Sequence, residues 1–323
     1  MIDLRARLAG VSVAVVSPVD LMGTYERLRG RGVAPLFELA PGDDAPDATV
    51  VHVDRPGAAV VTVDPGMTRL EIACPRERLG DGTGLLYAIE SAVERCLQLS
   101  GALTLVAASV ALPSDDDGRR GVLLLGVPGA GKTSVAVDLC LRWGGRLVAG
   151  DTCVLALDGD HVTAGPGTLV IGVRYVAGRR YLPAFAERLS PPPGAQEWDK
   201  RMFRPGELGV RSADEPVPIV STCLLRVDER ADLQVTRPDP ATLRIAVYEN
   251  ATRIIRGTAT PLLAGDGTGF AADVPSLDSF SCYRHRTRLI ETLLRRAPPQ
   301  LVSGPLEHVS EWVARSCAKN LPS

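Results

Sequence analysis

Gly121-Val122-Leu123-Leu124-Leu125-Gly126-Val127-Pro128-Gly129-Ala130-Gly131-Lys132-Thr133-Ser134 is the stretch from which the rest of the 323-residue chain is read. Residues 121–125 are a short apolar run that predicts a buried strand, and Ser134 to Leu141 predicts a helix. Between them, Gly126 to Thr133 fits the phosphate-binding P-loop pattern G-x-x-x-x-G-K-[ST] in the strand, loop, helix order it requires. Glycine lets backbone N–H groups converge on phosphate oxygens where a Cβ would block the backbone angles or the approach. The helix behind the loop adds the positive end of its dipole. Lys132 has the reach for β- and γ-phosphates, and Thr133 offers a hydroxyl to Mg²⁺. The expected nucleotide cradle is Gly126, Pro128, Gly129, Ala130, Gly131, Lys132, Thr133 and Ser134. Lysine occurs elsewhere only at 200 and 319, arginine carrying the other positive charges, which makes a chance match at Lys132 harder to sustain. The competing reading is a glycine-rich turn without a ligand.

A formal charge of −2 gives no footprint for nucleic acid or an anionic membrane, so a small substrate or a local protein contact is expected. Seven cysteines lack metal-type spacing and sit mostly in apolar runs, which predicts buried free thiols in a reducing cytoplasm. The start, MIDLRARLAGVSVAVV, faintly resembles a signal peptide. Its apolar run is short and no small-residue cleavage site follows, so residues 11–17 read as a strand. No run is long enough to span a bilayer.

Ahead of the P-loop, Asp20 to Arg29 predicts a helix capped by an Asp. Val33 to Leu39, Val50 to Asp54, Ala58 to Val63 and Arg69 to Ala73 are short β-rich runs divided by turn residues, read as mostly antiparallel strands. Gly84 to Leu99 has helical periodicity. These elements make a small α+β domain over residues 1–100, with the P-loop domain over 101–323. Leu103 to Leu112 reads as one buried strand. Pro113 to Arg120 reads as a charged turn, whose three Asp residues suit a solvated hairpin tip or a metal.

After the P-loop helix, Arg146-Leu147-Val148-Ala149 reads as a strand, with Asp151 at its carboxyl end, where open α/β sheets bind ligands. A carboxylate beside a phosphate loop is the oxygen donor that Mg²⁺ needs, which pairs Asp151 with Thr133 as metal ligands.

This order of apolar strand, GVPGAGKTS, helix and RLVAGD resembles HPr kinase/phosphorylase and its relatives, whose nucleotide core is similar to phosphoenolpyruvate carboxykinase. Members carry G-x-x-G-x-G-K-[ST] and then R-L-[IV]-[AS]-D-D. The resemblance covers roughly residues 103–315 and is specific at the P-loop and the Asp151 strand. Its fold implication is α/β, a P-loop kinase core of HPr kinase/phosphoenolpyruvate carboxykinase type with a small N-terminal α+β domain. In the family the first Asp of the pair accepts the proton and the second holds the metal; here Gly150 replaces the first. Val106 stands where many members have a His that contacts the phosphates, and the basic, glycine-rich phosphorylase segment gives way to TLVIGVRYVAGRR. Asp199-Lys200-Arg201-Met202-Phe203 looks like the K-R-x-[FY] segment of the non-regulatory kinases in this group.

Arg174 to Arg180 reads either as a solvated basic loop or as a phosphate or acceptor clamp. Pro-rich Ser190 to Gln196 forms no regular element. Lys200 and Arg201 follow it, as site residues or as a surface pair. Val217 to Val227 and Leu233 to Thr236 read as strands and Pro240 to Tyr248 as a helix. Phe280 to Arg296 reads as a helix with a charged outer face, its His285 structural.

Together these readings make the chain a cytoplasmic, ATP- and Mg²⁺-dependent kinase, with GTP as an alternative donor. Lys132, Asp151, Lys200 and Arg201 carry catalysis, and the acceptor is a hydroxyl of a small molecule of nucleoside or sugar type. A peptide serine acceptor and a nucleotide sensor without transfer are the alternatives. The resemblance further implies a homo-oligomer.

Overall fold

The computed structural model describes residues 4–30, 36–57, 59–79, 82–114, 118–256, 261–263, 269–271 and 275–319. Residues 33–35 of the expected third strand, and Asp115, Asp116 and Asp117, lie outside them. The chain divides into two units, Met1–Leu103 with Glu249–Thr287, and Thr104–Tyr248 with Arg288–Ser323.

In the first unit, β1 (Leu4–Leu8) and β2 (Val11–Val16) pair antiparallel. α1 (Leu21–Gly30) starts where Asp20 Oδ1 accepts the Gly23 N–H at 3.0 Å, the cap expected of an Asp before a helix. There follow β3 (Glu38–Pro41), β4 (Ala48–Asp54), β5 (Val60–Val63), β6 (Arg69–Cys74) and α2 (Thr83–Leu99). The sheet order is β3-β1-β2-β4-β6-β5. It is mixed, where mostly antiparallel strands were expected: β2–β4 and β4–β6 run parallel at its centre. The chain passes through α1 and β3 before β4 is added beside β2, the long crossover a parallel pair needs. α2 buries Leu85, Leu86, Ile89, Val93 and Leu97 in the core with this sheet.

The second unit takes the chain through β7 (Ala102–Val106), β8 (Ala108–Pro113), β9 (Arg119–Leu125), α3 (Lys132–Arg142), β10 (Arg146–Ala149), β11 (Thr152–Asp158) and β12 (His161–Gly165). Next come β13 (Ile171–Arg174), α4 (Tyr175–Tyr181), β14 (Lys200–Phe203), β15 (Val217–Val227), β16 (Gln234–Thr236) and α5 (Pro240–Thr252). The expected single strand over Leu103 to Leu112 is two strands broken at Ala107. β7 ends the strand path beside β11, while β8 lies between β10 and β9. A continuous apolar run reads the same for one buried strand or for two. Arg174 to Arg180, read as a solvated basic loop or as a clamp, is the end of β13 and most of α4.

β17 (Pro261–Leu263) and β18 (Gly269–Ala271) pair within the returning segment. α6 (Phe280–Arg296), β19 (Gln300–Gly304) and α7 (Leu306–Lys319) complete the described residues. Ile255, Leu277 and Cys282 join the first unit's core, so residues 249–287 belong with the N-terminal region, a return that local sequence pattern does not display. Arg286 holds it there, its Nη2 donating to Asp278 Oδ2 at 2.8 Å and its Nη1 to Gln98 Oε1 at 2.6 Å. Arg286 is therefore buried rather than on a charged outer face, and His285 bonds the Gln98 carbonyl at 2.8 Å, a structural contact.

All seven cysteines are buried and free, and burial pushes the thiols of Cys140, Cys153 and Cys223 up to about 12. Among the described residues no helix is long and apolar enough to cross a membrane.

Strand directions decide where a site can form in the second unit. β8 is antiparallel to both β9 and β10, so β9 and β10 point the same way. β15 is parallel to β9, and β19 to β15. The carboxyl ends of β9, β10, β15 and β19 thus share one sheet edge.

Candidate functional site

On that edge the glycine-rich loop leaves β9 at Leu125 and enters α3 at Lys132. Residues 121–125 are buried, so the loop springs from rigid sheet. Its support is the end of β15, where the Val227 N–H donates to Ala130 O at 3.0 Å. Gly131 has φ 96°, and a Cβ there would lie 2.3 Å from Val227 Cγ2, so both backbone angle and packing demand glycine. The α3 ladder opens with Val135 N–H donating to Gly131 O at 2.9 Å. N–H groups ahead of Val135 have no acceptor within the helix, which leaves donors and the positive helix end at the loop.

Val127, Pro128 and Gly129 are exposed, whereas Ala130 and Ser134 are buried. Lys132 Nζ donates to Gly126 O at 2.7 Å and to Val127 O at 3.3 Å, which draws the ammonium back across the loop. Burial holds its pKa below the ordinary lysine value; Asp151 opposes that shift and Lys200 adds to it. Lys132, Asp151 and Lys200 are therefore electrostatic neighbours, three of the four residues expected to carry catalysis.

Lys200 reaches this place through a hairpin. β13 and β14 pair antiparallel with Arg174 opposite Lys200 and Val173 opposite Arg201. Residues directly opposite share a face and successive residues alternate, so Arg174 and Lys200 face together while Arg201 faces away. The second guanidinium confirms the alternation: Arg201 donates to Arg188 O and lies 5.1 Å from the Phe203 ring centroid. Arg174 Nη1 stands 3.4 Å from where a Cβ on Gly129 would be, directly beside the loop. Lys132, Arg174 and Lys200 thus gather three cations at a loop whose own backbone offers donors, an arrangement whose charge and hydrogen-bonding capacity suit an anion.

Asp151 is held by a crossing segment. Thr168 Oγ1 accepts the N–H of Asp151 at 3.2 Å and that of Thr152 at 2.8 Å, while the Gly150 N–H donates to Thr168 O at 2.7 Å. A Cβ at Gly150 would lie 2.4 Å from Val170 O. A side chain at position 150 has no room, because the backbone of Thr168 and Val170 fills its place.

For a divalent cation the residues at hand are the Thr133 hydroxyl and the Asp151 carboxylate. Two hard oxygen donors suit Mg²⁺, which keeps several waters and shares nucleotide phosphates instead of taking an all-protein cage. Among the described residues no group of three His, Cys, Asp or Glu forms such a cage.

Sequence reasoning did not single out Thr168, Asp228 or the particular role of Arg174. Asp228 follows β15 on the same edge, its N–H donating to Gly304 O at 2.9 Å. Arg174 had a usable signal, an arginine ending the β-run IGVR. Thr168 had only the turn dipeptide Pro166-Gly167 before it. Set against protein-family models and curated proteins, the chain matches none of either.

Proposed function

We propose that the chain is an ATP- and Mg²⁺-dependent kinase with a carboxykinase-like P-loop core, which transfers the γ-phosphate to a hydroxyl of a small molecule. The observation that carries this reading is the convergence of Lys132, Arg174 and Lys200 on the glycine loop, with Asp151 on the same sheet edge. Loop N–H groups and Lys132 hold the β- and γ-phosphates, and Arg174 and Lys200 neutralise charge on the group in transfer. Thr133 and Asp151 would hold Mg²⁺, which supplies charge neutralisation on the phosphate oxygens.

In the reaction the acceptor oxygen bonds to the γ-phosphorus as the bond to the β–γ bridging oxygen breaks and ADP leaves. The transition state is loose, so the acceptor's proton departs late, and a carboxylate such as Asp151 suffices to take it. A small acceptor is supported by Trp198, 66% exposed and two residues before Lys200, which offers a flat face to a ring. A nucleoside- or sugar-type acceptor meets that description.

The test is to incubate the protein with ATP and Mg²⁺ against hydroxylated nucleosides, sugars and peptide serines, with phosphate incorporation read by mass spectrometry. Transfer to nucleosides or sugars is expected. Modification of peptides alone overturns the acceptor class.

A second reading, a nucleotide-binding sensor, is favoured by the backbone-filled position at Gly150. It expects ATP binding without transfer to any acceptor. Turnover lost in both Lys132→Ala and Asp151→Asn would exclude it.

A further inference from the structure

The segment from Pro166 to Val170 crosses β10 and the start of β11 at the point where the candidate site needs its carboxylate. Its contacts there are closely spaced. The Gly167 N–H donates to Val148 O at 3.0 Å, the Gly150 N–H to Thr168 O at 2.7 Å, and the Thr168 N–H to Thr152 O at 2.9 Å. The Thr168 hydroxyl adds three more, accepting from the Asp151 N–H at 3.2 Å and the Thr152 N–H at 2.8 Å and donating to Thr152 O at 3.2 Å. The fit leaves no slack. A Cβ on Gly167 would lie 2.1 Å from Thr152 O, and one on Gly150 would lie 2.4 Å from Val170 O.

We propose that Thr168 is the positioning residue of the site, its hydroxyl fixing the backbone of Asp151 and Thr152 so that the Asp151 carboxylate is presented towards Lys132 and the glycine loop. The proposal rests on the kinase reading above and deepens it. Asp151 is exposed, and its carboxylate has no hydrogen bond of its own among the described residues. What sets its direction is the backbone that bears it, and at positions 151 and 152 that backbone is tied to one hydroxyl. A side chain at 150 and this strap are mutually exclusive, so glycine at 150 is what admits the strap. Thr168 touches neither nucleotide nor acceptor and acts through Asp151, as an outer residue orients a metal ligand.

The experiment compares wild type with Thr168→Val, Thr168→Ala and Thr168→Ser, measuring ATP affinity as a function of Mg²⁺ concentration, with thermal melting of each variant as the check on folding. Thr168→Val keeps the shape and removes the hydroxyl; Thr168→Ala does so by another route should the valine prevent folding. The expected result is a Mg²⁺ requirement raised by about 10-fold to 100-fold in both, the range for loss of an outer partner of a metal ligand. ATP affinity without Mg²⁺ should stay unchanged, and Thr168→Ser should restore the wild-type Mg²⁺ dependence. A merely structural Thr168 would shift melting alone. An unchanged Mg²⁺ dependence in a folded valine or alanine variant overturns the proposal, as does failure of serine to rescue. Wild-type protein that binds ATP with no Mg²⁺ dependence overturns the kinase reading and this proposal with it, an outcome distinguishable because it appears before any substitution.

Discussion

Arg174 and Lys200 stand opposite each other at the end of the β13–β14 hairpin, both on the face that turns to the glycine loop. Arg201, one residue further, is turned away and spends its guanidinium on Arg188 O and the Phe203 ring. Two adjacent basic residues in the sequence therefore have different work. Arg174→Ala and Lys200→Ala should each weaken ATP binding by about 10-fold, the scale of one charge-assisted hydrogen bond partly shared with water. Arg201→Ala should leave ATP affinity near wild type and lower the melting temperature. Titration calorimetry of the three variants decides; equal losses for Lys200→Ala and Arg201→Ala would contradict the facing.

Gly131 is the loop glycine with least freedom to change. Alanine there must adopt φ 96° and place a methyl carbon 2.3 Å from Val227 Cγ2, against the strand end that supports the loop. Positive φ and overpacking together cost about 1–3 kcal/mol. Gly131→Ala should lower stability in urea by that amount and, on the kinase reading, also weaken ATP binding, since relief of the clash moves the amides that would hold phosphate. A stable variant with intact binding would mean that Val227 yields freely.

In the first unit, Arg286 has a side chain with 0% exposure, paired to Asp278 at 26%. Removing one partner of such a pair leaves the other charge without its counter-ion, at about 3–5 kcal/mol for buried pairs, and the partial exposure of Asp278 favours the lower end. Arg286→Met should destabilise the protein by about 3 kcal/mol in denaturant melts, and adding Asp278→Asn should recover part of the loss. No recovery in the double variant would place the cost in the Gln98 bond instead.

The β9, loop and α3 sequence was legible because two independent signals coincide there, an apolar run and a glycine-lysine spacing. Val217–Val227 and Phe280–Arg296 were legible for a similar reason, being long with clear ends. What local pattern could not carry was pairing over distance. The face that Arg174 shares with Lys200 is set by hairpin register across 26 positions, and Gln98 meets Ala251, His285 and Arg286 only once the chain has returned. The sequence showed that position 150 lacks an acid. That backbone from Thr168 to Val170 fills its place follows from hydrogen bonds no spacing rule encodes.

Trp198 has its Nε1 tied to Gln196 Oε1 at 2.5 Å, so its ring is held while its face stays open. On the kinase reading it should contribute to acceptor binding and not to nucleotide binding. Trp198→Ala should raise KM for a ring-bearing acceptor by about 10-fold, the scale of one base stacked on an aromatic ring, with kcat and the KM for ATP little changed. Initial-rate kinetics in both substrates checks this, and an effect confined to the ATP KM would move Trp198 to the nucleotide side.

Lys132 links binding to stability through its proton. Burial lowers its folded pKa below the ordinary 10.5. Between that lowered value and 10.5 the unfolded chain binds more protons than the folded one, so stability rises with pH across this window. Below the window the folded protein carries the cost of a charged, partly buried amine. Lys132→Met removes the cost, so the variant without nucleotide should melt slightly above wild type at neutral pH, and the two should converge as pH approaches 10.5. The same substitution should weaken ATP binding by about 10-fold to 100-fold, the range for bonds to a charged donor. Melting curves from pH 7 to 10.5 with and without ATP separate the two effects. A variant less stable than wild type at pH 7 without nucleotide would show that the bonds from Nζ to Gly126 O and Val127 O outweigh the burial cost, making Lys132 a structural clasp of the loop in addition to the phosphate-holding role the kinase reading gives it.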